Sequence, residues 1–323
     1  MLEPEITVLL TEHRIEHLPI FEEIAEKHDV IILEEPYPDL INQVLEGGLD
    51  LSKYVELVYT EFSKFLEEQY KILTKLHKSG KIIYASEPYL AQLVKIYKHI
   101  ERKTLHDALK QDKFLQFVHN IENIVSGKLL EYYDAVSSLD FEKAVKALLN
   151  YAKADAYRIL IRDLMRASEL RNIIRYYTEK GYRKILVEAG LIHVVLVKAL
   201  SIYFPNKVQV INTKKLLAER CLPDADLKVL EYSHPGYTIT FVYLGFLNNY
   251  NLRELAARCI IYNMLISKEE KYPTESDPCP HLREEYGILK LVSRLSFDEC
   301  RKLFEKVMLK MLKGSTESDF VGF

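Results

Sequence analysis

The 323-residue sequence predicts an α/β fold, a mostly parallel or mixed central sheet flanked by helices, with a large helical insertion and a helical C-terminal extension. Three observations carry this. Short Val/Ile/Leu-rich runs alternate with segments of helical periodicity. The connections between the first runs are long enough for the helical crossovers that parallel pairing requires. Residues are 48% hydrophobic and 28% charged, the balance of a chain that buries a real core.

The elements follow in order. Ile6 to Leu10 is a first strand, a helical pattern from about Glu16 to His28 follows, and Val30 to Leu33 is a second strand, a β-α-β unit at the start. Pro19 stands where a first helical turn tolerates a missing N–H. A long amphipathic helix from Leu51 to His77 comes next, with Gly80 placed to end it in a left-handed turn, and Lys81 to Ala85 is the third strand. From Tyr89 to Tyr177 the pattern is helical, with Asp140 as an N-cap, and Gly181 ends it before the strand Lys184 to Ala189. A helix reaches about Tyr203, and two more strands are expected at Val208–Ile211 and Thr238–Tyr243. Beyond Leu244 the chain is helical again, interrupted by the polar stretch Tyr272 to Pro280, and Ser296 to Glu299 reads as a capping box. The expected organisation is an α/β domain over 1–244 with an insertion at about 89–180, and a helical extension over 245–323.

Several function classes lose their signatures. The 11 glycines never form GxGxxG, GxxxxGK[ST] or GxSxG. A net charge of -3 gives no general attraction to phosphates, so nucleic acid is not an expected partner. Arg158, Arg162, Arg166, Arg171 and Arg175 recur at helical spacing, but Asp163 and Glu169 lie among them and predict a solvated face. The four cysteines lack CxxC spacing and read as reduced, and the amino terminus has no signal-peptide pattern, so a cytoplasmic protein without membrane spans is expected. The apolar helical stripes from 245 onward suit a lid, a dimer arm or part of the core, and a homo-oligomer is expected.

In an open α/β sheet, ligands bind beyond the carboxyl ends of the strands. The residues there are polar: Thr11, Glu12 and His13; Glu34 and Glu35; Ser86 and Glu87; Gly190 and His193. Parallel strands bring them to one edge. His13, Glu34 and His193 are the candidates for activating water, with Glu12, Glu35, Glu87 and Gly190 as binding positions. Two chemistries stay open: His13 and His193 hold a divalent metal such as Zn, Mn or Co, or a histidine activates water without one. His13 to His17 also fits the string HxxEH, but that motif needs one helix across both histidines, and here a strand ends just before the first. Cys279-Pro280-His281 lacks further ligands at suitable spacing.

The order of these features resembles the superfamily of TraB/Tiki proteins, erythromycin esterases and ChaN-like haem-binding proteins. Leu10-Thr11-Glu12-His13 stands at the first GxxH, Val30 to Glu34 at the strand ending in glutamate, Arg162 to Met165 at the arginine helix, and Gly190-Leu191-Ile192-His193 at the second GxxH. Leu10 departs from the glycine of the first motif. The resemblance implies Arg162 as an oxyanion stabiliser, and either a metal-dependent peptidase, a metal-free esterase or a haem binder. A hydrolase of an amide or ester bond in a small molecule or peptide is therefore expected, with a non-catalytic binding or scaffold protein as the rival.

Overall fold

In the computed structural model, residues 3–58, 62–226, 229–230 and 234–312 are described. Five strands form one sheet: β1 (Glu5–Thr11), β2 (Val30–Leu33), β3 (Ile82–Ala85), β4 (Lys184–Gly190) and β5 (Val208–Asn212). Every pairing is parallel and the order is β3-β2-β4-β1-β5. Register is set by apolar residues, with Ile6 beside both Ile185 and Val208, and Val30 beside Ile82 and Ile185. The inner strands β2, β4 and β1 are buried on both faces, which is why they read as mostly apolar runs, interrupted inside by Thr7 in β1 and Glu188 in β4. β5 lies at an edge and is half polar, as one partly solvated strand should be.

Between the strands run α1 (Leu18–Ala25), α2 (Pro38–Leu45), α3 (Leu51–Val58), α4 (Ser63–Lys78), α5 (Pro88–Glu101), α6 (Leu105–Gln111), α7 (Lys113–Ser137), α8 (Phe141–Glu179) and α9 (Val194–Tyr203), and α10 (Thr213–Cys221) follows β5. The stop signals act as expected. Gly80 has φ +90°, and the amide of Lys81 donates to the Leu76 carbonyl at 3.1 Å, closing α4 in a Schellman turn. Gly181, at φ +96°, closes α8 the same way through Tyr182 and the Tyr177 carbonyl, 3.1 Å. Asp140 caps α8 by accepting from the Lys143 amide at 2.9 Å.

Two expectations need correction. The helix from Leu51 to His77 is two helices, α3 and α4, with residues 59–61 of that stretch outside the described ones. Phe62, at φ -114° and ψ 60°, is not helical, and the carboxylate of Glu270 supplies the cap, accepting from the amides of Lys64 at 3.1 Å and Phe65 at 2.9 Å. Thr238–Tyr243, expected as a strand, lies in helix α11 (Pro235–Tyr243). Pro235 opens that helix, His234 Nδ1 accepts from the Gly236 amide at 3.0 Å, and the Thr240 hydroxyl turns back on the Gly236 carbonyl at 3.0 Å. Those caps and hydroxyl bonds outweigh the β preference of its Thr, Ile and Val residues.

The chain divides into two units. The first holds residues 1–120, 159–223 and 270–281, including the whole sheet. The second holds 121–158, 224–269 and 282–323, and its described elements are helices, with α12 (Leu252–Leu265), most of α13 (Pro280–Val292) and α14 (Phe297–Leu312) following α11. This division falls elsewhere than a boundary at 244, because part of the long insertion joins the C-terminal helices in the second unit. Within it, Phe141 packs on Phe297 and Phe304 at ring distances of 5.3 and 5.2 Å. The capping box is present at the start of α14, Ser296 and Glu299 exchanging bonds of 2.8 and 3.4 Å. Among the described residues, no helix is long and apolar enough to cross a membrane.

Candidate functional site

In the first unit, the connections from β1 and β2 run toward the β3 edge of the sheet, while that from β4 runs through α9 to β5. The direction of connection therefore reverses between the neighbouring strands β4 and β1, and in open α/β sheets ligands bind at the carboxyl ends of the strands around such a point, here those of β2, β4 and β1. Glu34, Gly190 with His193, and His13 stand at those three ends.

Glu34 is the hub. Its Oε2 accepts from the Gly190 amide at 2.8 Å, and its Oε1 accepts from Arg162 Nη2 at 3.1 Å and lies 2.9 Å from His193 Nε2. Arg166 Nη1 is 3.5 Å from Oε2. Burial would raise the Glu34 carboxyl, but His193, Arg166 and Arg162 hold it well below the usual carboxylate range. Arg166 is 1% exposed, and its other nitrogens tie together the strands on either side of Glu34. Its Nε donates to the Ser86 carbonyl just after β3, and its Nη2 to the Glu188 carbonyl in β4, both at 2.7 Å. One guanidinium thus spans β3 and β4 and presents its remaining nitrogen to the carboxylate at the end of β2 between them.

His193 is held at both ring nitrogens. Nδ1 donates to Asp163 Oδ1, while Nε2 faces Glu34. Burial would strip a proton from this ring, but the charges of Glu34 and Asp163 outweigh it and raise its pKa to about 9. The ring is therefore an imidazolium near neutral pH. Asp163, fully buried, also accepts from the Leu196 amide at 2.9 Å and so caps the first turn of α9 from another helix. Glu87 caps α5 through the Leu90 amide, 2.6 Å, and its other oxygen lies 3.6 Å from Arg162 Nε.

His13 differs from His193. Its ring packs against Phe62 and Phe65, at ring distances of 5.5 and 5.3 Å, at the head of α4. Burial lowers its pKa despite the attraction of Glu34, and the positive charges of His193 and Arg162 lower it further. His13 is accordingly a neutral imidazole beside a cationic one.

The remaining expected residues separate from this group. Glu12 pairs with Lys214 at 3.0 Å on the side toward β5. Glu35 turns to the hydroxyls of Tyr54 and Tyr70, the latter at 3.0 Å, and burial pushes its carboxyl up to about 7. Residues 13 to 17 do not form one helix. A 3-10 turn begins only at Ile15, and the Glu16 carboxylate accepts the His281 amide at 2.9 Å. His281 Nε2 accepts the Lys271 amide at 2.8 Å. The solvated arginine face expected along α8 is also corrected: Arg166 and Asp163 are buried because they serve Glu34 and His193. Sequence reasoning missed Arg166, Asp163 and Glu188; the i, i+4 spacing of Arg162 and Arg166 was the signal available.

The donors do not fit a divalent metal at His13 and His193. Among the described residues, no three His, Cys, Asp or Glu side chains converge as a ligand set. A ligating histidine must offer a lone pair, and His193 has given both nitrogens to carboxylates. Two guanidinium groups lie within 3.5 Å of Glu34 and would repel a further cation there.

No protein-family model matches the chain, and no solved structure matches it. The chain is similar to a protein of Archaeoglobus fulgidus described as uncharacterized, 28% identical over 297 residues that cover 92% of this chain and 97% of the relative.

Proposed function

We propose that this edge hydrolyses an ester or amide bond in a small molecule or peptide without a metal. The observation that carries the reading is a neutral His13 near the His193 imidazolium and the Arg162 guanidinium, two of the three cations that with Arg166 pair Glu34 at the switch point of the sheet. His13 takes a proton from water as the water oxygen attacks the carbonyl carbon. The developing oxyanion is met by Arg162, the most exposed of the three cations at 21%. His13 then returns the proton to the leaving alkoxide or amine, so the imidazole ends neutral. Glu34, Arg166 and His193 hold the edge rigid and positive. Among the activities implied by the resemblance to the TraB/Tiki, erythromycin-esterase and ChaN-like superfamily, this reading matches the metal-free esterase layout.

The test is hydrolysis of a panel of nitrophenyl esters and anilides by the purified protein and its His13→Gln variant. The variant should lose about 100-fold or more in kcat/KM at unchanged thermal stability. Equal turnover by parent and variant overturns the assignment. One observation favours a non-catalytic binding role instead: both oxygens of Glu34 already have protein partners. That reading predicts no turnover of any ester or anilide above buffer.

A further inference from the structure

The amino-terminal ends of β4, β1 and β5, neighbours in the sheet, border a cleft of about 590 Å³ at the edge opposite the Glu34 group. Strands of seven residues put the two edges roughly 20 Å apart. The lining comes wholly from the first unit, and the volume is that of a small-molecule site. Ile6, Thr7, Ile24 and His28 are its buried walls. The His28 ring is fixed there, its Nδ1 donating to the Ile24 carbonyl at 2.8 Å and its Nε2 lying 2.8 Å from the Thr7 hydroxyl.

The charges of the cleft do not balance. Among the described residues, Lys27, Arg183, Lys184 and Lys207 line it, against the carboxylates of Glu3 and Glu5. Glu3 is taken by Lys207, and Glu5 stands 3.9 Å from Arg183. Lys27 pairs at 3.1 Å with Glu23, outside the cleft, in an exposed contact of little strength. Lys184 has no ion pair among the described residues, and its charge is felt at the buried wall. Burial lowers the pKa of His28 against the pull of the Ile24 hydrogen bond, and Lys184 lowers it further. Two positive charges are thus left over here, in a chain whose net charge is -3. That surplus matches the charge of about -2 on a phosphate monoester near neutral pH, and guanidinium and ammonium groups are the donors that phosphoryl oxygens take. Ile6, Ile24 and Val208 add apolar surface that a bare inorganic anion would not use.

We propose that this cleft binds a phosphate monoester of a small organic group, its phosphoryl oxygens on Lys184 and Arg183 and its organic part against Ile6, Ile24 and Val208. The site is separate from the hydrolytic edge and does not rest on that reading.

The experiment uses the full chain with 15N-labelled histidine at pH 8, titrated with phenyl phosphate, inorganic phosphate, benzenesulfonate or phenol. The ring signals of His28 are assigned by their loss in His28→Gln, and calorimetry gives the dissociation constants without an assignment. Phenyl phosphate should shift the His28 signals saturably and raise the pKa of the ring, because its charge offsets that of Lys184. Benzenesulfonate, with one charge, and inorganic phosphate, with no apolar part, should each bind roughly tenfold more weakly, and phenol should leave the ring unmoved. Lys184→Gln should weaken phenyl phosphate roughly tenfold or more, while Lys71→Gln, at an exposed lysine outside the cleft, should leave its affinity unchanged. An equal loss in both variants marks diffuse surface attraction, equal affinity for inorganic phosphate removes the organic part of the ligand, and equal affinity for benzenesulfonate removes the dianion. Each of these overturns the proposal, as does the absence of a saturable response to phenyl phosphate.

Discussion

Replacing Glu188 by Gln tests whether the middle of the sheet holds an uncharged carboxyl. Glu188 lies in the inner strand β4, is 3% exposed, and accepts from the Gln69 amide at 2.7 Å. Burial, followed by the charges of Glu35 and Glu34, pushes its carboxyl up to about 8 from an ordinary 4.5. A carboxyl that titrates higher in the fold than in the unfolded chain binds its proton more tightly when folded. Its stabilising contribution is complete below pH 4.5 and is lost as pH rises to about 8. At ~1.36 kcal/mol per pH unit, that interval corresponds to a loss of ~5 kcal/mol. Glutamine has the same outline, keeps an acceptor for Gln69 and does not titrate. Urea unfolding of parent and Glu188→Gln should therefore agree within about 1 kcal/mol at pH 5, with the variant ahead by ~3–5 kcal/mol at pH 9 and unchanged m-values. A difference independent of pH, or one that grows toward acid, would mean that Glu188 is ionised in the fold and would refute the reasoning.

Asp163→Asn removes the charge behind His193; the ring should titrate below about 9 by NMR, and stability at pH 6 should fall by ~3–5 kcal/mol, the cost of breaking a buried pair. In the parent, the contribution of His193 is complete below pH 6.5 and is lost as pH rises through about 9, so the variant's deficit should shrink over that window. Glu270→Ala strips the cap from α4 and should cost about 1–2 kcal/mol in urea unfolding, with no change in the His193 titration. Prolonged chelation should leave both melting temperature and turnover unaltered; a drop restored by Zn, Mn or Co would revive the metal reading at His13 and His193.

The sheet was legible because its inner strands are buried on both faces. Ile6, Val30 and Ile185 sit in mostly apolar runs, the pattern of a parallel, helix-covered sheet. The stops at Gly80 and Gly181 and the cap at Asp140 were legible because each is a local device, complete within a few residues. What escaped was decided at long range. Glu270 caps a helix about two hundred residues before it, and no window around Phe62 contains that carboxylate. Thr238 to Tyr243 carries strand-forming side chains, but its conformation is fixed by Pro235 and His234 just outside the β-like stretch. The site divides the same way. Following the strand ends in order found His13, Glu34, Gly190 and His193. It could not say that Glu35 would turn to Tyr54 and Tyr70 while Glu34 turned to Gly190 and Arg162, since neighbouring residues at a strand end point to opposite faces and either could have been the hub.

The charges at this edge are arranged by a simple physical constraint. A carboxylate at the end of a buried strand must be paired, and Glu34 is paired by three cations drawn from α8 and from the turn after β4. Once His193 is committed as one of those cations, it cannot act as a base at neutral pH, because its proton is held to about 9. Burial, helped by the positive charges of His193 and Arg162 and opposed by Glu34, drives the proton off His13. The two histidines of the paired motifs thus diverge in protonation because one serves Glu34 and the other only feels it. Any change that frees Glu34 from His193 should let His13 gain a proton, so the titration of His13 in Asp163→Asn reports directly on the coupling. A His13 pKa that stays in place while His193 falls would separate the two rings and remove the electrostatic basis for giving His13 the role of base.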